Sequence, residues 1–203
     1  MNNMIFPYPH DADPDIFREA LAYSEATTGF TASLIERDYY CSLILQWLFD
    51  SGTSLVFKGG TCLSKVYADF YRLSEDLDFI IPIPSNTSRN QRRTKMKSNK
   101  PMFNKLPTAI PGLRILEEFK GHNEARQYIG HLGYQSTVIE KQEKVKIEVG
   151  IREPLLRPPV SETARTILLN PFTSRPFLPD FTVRTMTMKE AYAEKARAAL
   201  TRK

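Results

Sequence analysis

The sequence predicts an α/β protein, a mixed sheet flanked by helices, and three observations carry that expectation. Apolar residues recur at helical spacing near both ends of the chain. In between, short apolar runs at 54–58 and 76–82 bracket a Gly-Gly turn and another helical stretch. Further on, two short segments separated by a few polar residues have the pattern of an antiparallel pair.

In chain order, Asp13-Pro14 supplies an N-cap and a proline at the first helical position. It opens a helix that uses Ile16, Phe17, Ala20 and Leu21 and stops near Gly29. Ser33 followed by Glu36 has the spacing of a capping box. Tyr40, Leu43, Ile44, Trp47 and Leu48 then fall at helical spacing, predicting a core helix through Leu48 or Phe49. A strand at 54–58, a helix at 61–71 and a strand at 76–82 follow, the last ended by Pro82 and Pro84. The stretch 88–106 is predicted helical, anchored by Met96 and Phe103, with Pro101 limiting its regularity. Tyr134–Ile139 and Lys144–Ile151 are the expected strand pair. In the second, Val145, Ile147 and Val149 alternate with Lys146, Glu148 and Gly150, so Glu148 lies opposite the aliphatics. Residues 154–180 are proline-rich and aperiodic, as an extended connector is. A strand at 181–186 leads to Thr187 and Glu190, spaced as a capping box for a final helix.

Two segments carry candidate chemistry. In Ser74-Glu75-Asp76-Leu77-Asp78-Phe79, period-two alternation projects Asp76 and Asp78 from one face of a strand while Leu77 and Phe79 enter a core. Neighbouring carboxylates raise each other's pKa unless a cation relieves them, and hard oxygen ligands suit Mg²⁺ carrying a nucleoside triphosphate. A chance Asp-x-Asp at a strand edge has the same spelling. Upstream, Phe57-Lys58-Gly59-Gly60-Thr61 reads as a strand entering a helix through paired glycines. Such a turn lets phosphate oxygens approach the backbone, with Thr61 able to cap the helix or meet a phosphate. A plain strand-to-helix turn is the alternative. It is no P-loop, because the spacing of that motif is absent.

Composition narrows the field. The 203 residues are 41% hydrophobic and 25% charged, enough to bury one sizeable core, and residues 1–203 are read as one domain. No apolar run reaches membrane-spanning length and the acidic start lacks a signal peptide's basic and apolar regions, so the chain is expected to be soluble and cytoplasmic. Cys41 and Cys62, at no metal-ligand spacing, are expected as buried thiols. The net charge is +5, and between Phe79 and Leu116 there is no acidic residue. Arg89, Arg92, Arg93, Lys95 and Lys97 open that basic block, which suits a phosphate backbone or, alternatively, a solvated loop. Phe103 is the only aromatic residue among its basic positions, which favours backbone contacts over base stacking.

Taken together, the glycine turn followed by Asp-x-Asp on the next strand resembles the polymerase-β-like nucleotidyltransferases. More narrowly, Phe57-Lys58-Gly59-Gly60-Thr61-x-Leu63-x-Lys65, with Arg72-x-Ser74-Glu75-Asp76-Leu77-Asp78-Phe79, resembles the AbiEii/AbiGii-type nucleotidyltransferase toxins. Ile35-Glu36-Arg37-Asp38-Tyr39-Tyr40 and Ala193-Glu194-Lys195-x-Arg197-Ala198 extend the likeness over most of residues 34–200. The resemblance implies metal-dependent transfer of a nucleoside monophosphate from an NTP to an acceptor hydroxyl. Asp76 and Asp78 would bind Mg²⁺ or Mn²⁺, and Glu148 would be a third ligand or general base. Gly59, Gly60, Thr61, Lys65 and Ser74 would contact nucleotide phosphates, and Lys195 would neutralise triphosphate charge. It further implies an RNA acceptor, the 3′ end of tRNA, and a toxin role in phage defence beside a cognate antitoxin. Members of the family usually continue into a helical C-terminal region; this sequence stops at Lys203, so the expectation is either a naturally short protein or a fragment of a longer one. A silent RNA- or antitoxin-binding module, or a transferase acting on protein or a small molecule, are the alternatives.

Overall fold

The computed structural model describes residues 8–152 and 154–201. Its strands are β1 (Val56–Lys58), β2 (Asp76–Pro82), β3 (Arg114–His122), β4 (Gln127–Gln135), β5 (Gln142–Arg152), β6 (Val160–Ala164) and β7 (Phe181–Thr185). They form one seven-stranded sheet in the order β3-β4-β5-β2-β1-β7-β6. β2 runs parallel to β5 and antiparallel to β1, β1 runs parallel to β7, and the other neighbours are antiparallel. The expected mixed sheet is therefore present.

Alternation gives the sheet two different faces. Leu77, Phe79 and Ile81 of β2 and Val145, Ile147, Val149 and Ile151 of β5 point to one side. There they pack with Phe17 and Leu21 of α2 (Pro14–Thr28), which follows the short α1 (Pro9–Ala12), with Ile44 and Leu48 of α3 (Ala32–Asp50), and with Met96 and Phe103 of α5 (Arg89–Ala109). Each such side chain contributes about 1.5–3 kcal/mol on leaving water. On the other side a smaller cluster joins Val56, Ile80 and Met186 to Leu63 and to Ala191 of α6 (Met188–Thr201). Among the described residues no helix is long and apolar enough to cross a membrane. Cys41 and Cys62 are free and buried.

Several local expectations hold. Asp13 caps α2 by accepting from the Ile16 amide, and Gly29 ends it in the left-handed region at φ 76°. The basic stretch is helical from Arg89 despite Pro101 and Pro107, and Ser88 with Gln91 forms its capping box. Others do not. α3 begins at Ala32 after Thr31, and Glu36 is no cap: its buried carboxylate accepts from the hydroxyls of Ser136 and Thr137 and from the Thr137 amide. Thr187 and Glu190 form no capping box either, because Glu190 accepts from the Leu156 amide. The strand expected at 134–139 spans Gln127–Gln135 instead, since the Ser136 hydroxyl turns the chain by accepting from the amides of Val138 and Ile139. The helix expected at 61–71 is the short α4 (Gly59–Cys62) followed by one π-helical turn, Leu63–Tyr67. β3 and β6, the two edge strands, were not expected. β3 is exposed over most of its length, so it has no apolar alternation to reveal it.

The Glu36-Arg37-Asp38 run ties α3 to the segments around β2. Arg37 pairs with Glu75, just before β2, and with Glu143 of β5. Asp38 pairs at 2.7 Å with Lys65, whose ammonium also donates to Ser42 at 2.7 Å; both charged side chains are buried. Lys65→Met is expected to cost about 3–5 kcal/mol, because the remaining carboxylate is left buried and unpaired. Lys65→Met with Asp38→Leu should recover part of that loss. Urea denaturation measures both, and a single variant as stable as the parent would contradict the pairing.

Candidate active site

The site begins at the junction of β1 and α4. Gly59 has φ +79°, in the left-handed region that favours glycine. A Cβ there would lie on the Asp78 side chain, 2.8 Å from its Cβ and 2.9 Å from its Cγ. A Cβ on Gly60 would come within 2.7 Å of the Arg72 guanidinium and 2.9 Å of the Ser74 hydroxyl. The glycine pair therefore brings backbone, Asp78, Ser74 and Arg72 together where side chains would hold them apart. Thr61 is buried and its hydroxyl donates to the Asp76 carbonyl at 2.5 Å, fastening the turn to β2.

On the other side of β2, parallel register places Lys146 beside Asp76 and Glu148 beside Asp78. Gln127 of β4 donates to Glu148 at 2.6 Å. The Lys146 ammonium stands 3.4 Å from Asp76 and 3.4 Å from Glu148. Burial, then the charge of Glu148, push the Asp78 carboxyl up to about 6, against the opposing pull of Lys58. A carboxyl raised by burial together with a specific charged neighbour is typical of functional positions. Among the described residues no three His, Cys, Asp or Glu side chains are spaced to hold an ion by themselves.

Not every expected residue arrives here. Asp76, Asp78, Glu148, Gly59, Gly60 and Ser74 converge. Thr61 neither caps α4 nor presents its hydroxyl to a phosphate, because it is buried and that hydroxyl donates to the Asp76 carbonyl. Lys65 does not reach the site, because the π-turn directs its ammonium inward to Asp38. On α6, Lys195 is exposed, and its neighbour Glu194 is the residue that meets the site, pairing with Lys58 at 3.0 Å. Arg89, Arg93, Lys95 and Lys97 are exposed on α5. Arg92 is buried and donates to the carbonyls of Thr87 and Glu124, so it braces the fold. Sequence reasoning assigned no role to Lys146 or Gln127, and Lys58 and Arg72 entered it only as letters of the family motif. Period two from Glu148 was enough to find Lys146; Gln127 needed the β4–β5 register.

A central strand presenting two carboxylates to a glycine turn, within this mixed sheet, defines a nucleotidyltransferase-like fold. The chain belongs to the family described as "Nucleotidyl transferase AbiEii toxin, Type IV TA system", which matches residues 44–203. Among solved structures, JHP933 from Helicobacter pylori is similar at a TM-score of 0.50 and 17% identity, over 80% of this chain and 56% of that one. A second H. pylori structure, described as a candidate nucleotidyltransferase, gives a TM-score of 0.52 and 16% identity over 82% and 59%. At these identities the likeness is one of fold, and the chain spans somewhat over half the length of both. No curated protein matches it.

Proposed function

We propose that the protein is a metal-dependent nucleotidyltransferase that moves a nucleoside monophosphate from an NTP to an RNA hydroxyl, the 3′ end of tRNA, releasing pyrophosphate. In this reading it is a cytoplasmic toxin restrained by a cognate antitoxin, and the family description supports the toxin and antitoxin parts. The observation that carries the chemistry is the seat of the Asp78 side chain against Gly59, beside Ser74 and Arg72.

The donor set fits Mg²⁺, which is commonly held by one or two carboxylates, with substrate phosphates and water completing the shell. Asp76 and Asp78 would hold it, and when bound it supplies positive charge to the triphosphate. The glycine turn exposes backbone to phosphate oxygens, and Arg72 and Ser74 offer donors beside it. Lys58 and Lys146 supply positive charge on the two flanks. Glu148, oriented by Gln127, can accept the proton of the attacking hydroxyl. The exposed cations of α5 favour a polyanionic acceptor.

The test is label transfer from each radiolabelled NTP to total cellular RNA and protein. The wild-type chain is expected to label RNA. Asp76→Asn with Asp78→Asn is expected to reduce labelling by at least about 10²–10³-fold while the fold is kept. Equal labelling by the double variant, or label appearing only in protein, would overturn the reading.

A further inference from the structure

A cleft of about 550 Å³ lies beside the site, lined by Leu155, Leu156, Arg126 and Arg197, with Ile80, Gln127 and Glu194 among its other lining residues. We propose that this cleft is the acceptor subsite, taking the terminal nucleotide of a single-stranded polynucleotide, its base against Leu155 and Leu156 and its phosphodiester between Arg126 and Arg197. The proposal rests on the transferase reading above and names where its second substrate sits.

Position along β2 favours this assignment. Lys58 lies opposite Asp78 in antiparallel register, so the Gly59–Gly60 turn is at the Asp76 end of the strand. The cleft starts at Ile80, two residues beyond Asp78 on the same face, and continues to Ile83 past the strand's other end. Phosphoryl displacement places the entering and leaving oxygens roughly in line. A pyrophosphate leaving toward the glycine turn therefore faces a hydroxyl entering from the cleft. Glu148 borders that path: it is beside Asp78, and the Gln127 that orients it is itself a cleft residue.

The chemistry of the walls agrees. Ile80, Ile83 and Ile151 are buried behind the cleft, and the apolar surface open to a base comes from the half-buried Leu155 and from Leu156, which is 88% exposed. Of the two acidic residues of the wall, Glu194 pairs with Lys58, and Glu190 accepts from the Leu156 amide through Oε1 while its Oε2 is buried without a hydrogen-bond partner among the described residues. Arg126 and Arg197 are exposed and pair with no carboxylate among the described residues. The volume lies in the roughly 300–1,000 Å³ range of ligand pockets, suited to a nucleotide. Two arginines able to meet a phosphodiester beside an apolar wall suit a nucleotide held mainly through its backbone.

The experiment measures anisotropy of a fluorescent single-stranded oligoribonucleotide with a free 3′ hydroxyl, on the full Asp78→Asn chain so that no turnover occurs. Arg126→Ala with Arg197→Ala is expected to raise its Kd at least about tenfold and to flatten the salt dependence by roughly 0.7 for each phosphate no longer neutralised. Arg175→Ala, removing an exposed charge elsewhere, should change neither. In the wild-type background, Mg²⁺–NTP affinity should be unaltered by the arginine pair. A 4-thiouridine at the 3′ end should cross-link to the peptide containing Gln127 or Leu155. Unchanged oligonucleotide binding in the arginine variant overturns the proposal, as does weakened NTP binding with RNA binding intact, which would make the cleft a base pocket for the NTP. Because binding is read directly, a wild-type chain that transfers nothing yet loses RNA with the arginines refutes the transferase reading and leaves the subsite standing.

Discussion

Gly59→Ala is expected to abolish nucleotidyl transfer. Two costs fall on this residue together. The backbone at φ +79° disfavours any L side chain by roughly 1–2 kcal/mol. The new methyl would also meet Asp78 Cβ and Cγ inside 3 Å, and Asp78 sits on a strand paired on both sides, so the carboxylate must give way. Displacing a reacting group by about 1 Å can cost 10²-fold in rate, and a loss at least that large is expected here. Gly52→Ala is the matched control: Gly52 has φ +75°, but a Cβ there meets nothing within 4 Å. It should lose about 1 kcal/mol of stability and keep its activity. Label transfer and thermal melts on both variants separate backbone strain from the collision. If Gly59→Ala kept the activity of Gly52→Ala, the carboxylate could not be seated where the glycine permits it.

Asp78→Asn should give the opposite signs for activity and stability: transfer lost, the metal-free protein more stable. The Asp78 carboxyl is raised to about 6, above the ordinary aspartate value, by burial first and by Glu148 second. The folded state thus holds this proton more tightly than the unfolded chain does. Stability is greatest below the ordinary aspartate pKa, and it falls as pH rises from about 4 through 6. Above pH 7 the ionised group costs roughly 2–3 kcal/mol, and for a chain of this length that corresponds to roughly 4–12 °C in Tm. In EDTA at pH 7.5 the asparagine variant is expected to melt higher by such an amount, and at pH 4 the gap should close. Mg²⁺ should raise the wild-type Tm more at pH 7.5 than at pH 5. A variant that melts lower than wild type at pH 7.5 would show that the carboxylate is not under charge strain.

The legible parts of this sequence were those in which local chemistry and tertiary packing agree. β2 runs from Asp76 to Pro82 as read, because apolar residues alternate with carboxylates and proline stops the ladder. Gly59 and Gly60 were legible as a turn for the same local reason. The hidden parts depend on partners distant in sequence. Lys65, Asp38, Glu36 and Arg92 are charged residues that a composition rule assigns to water, yet each is buried with its partner 20 or more positions away or on a neighbouring backbone. No spacing rule reveals such pairs. Nor does any local pattern set the parallel register that seats Glu148 beside Asp78. On α6 the pattern found the correct helix, but Glu194, one residue before Lys195, is what reaches β1. One residue is a rotation of about 100° around a helix, enough to exchange a cation for an anion at the site.

The parallel pairing of β2 with β5 also bears on synthesis. A nascent chain that has emerged only through α5 carries the glycine turn and both aspartates, but neither Glu148 nor the α6 carboxylate that engages Lys58. Long-range parallel pairing forms late and slowly compared with local helices. The full constellation of Asp76, Asp78, Glu148 and the Lys58–Glu194 pair is therefore assembled only once translation has passed β5 and the last helix has docked.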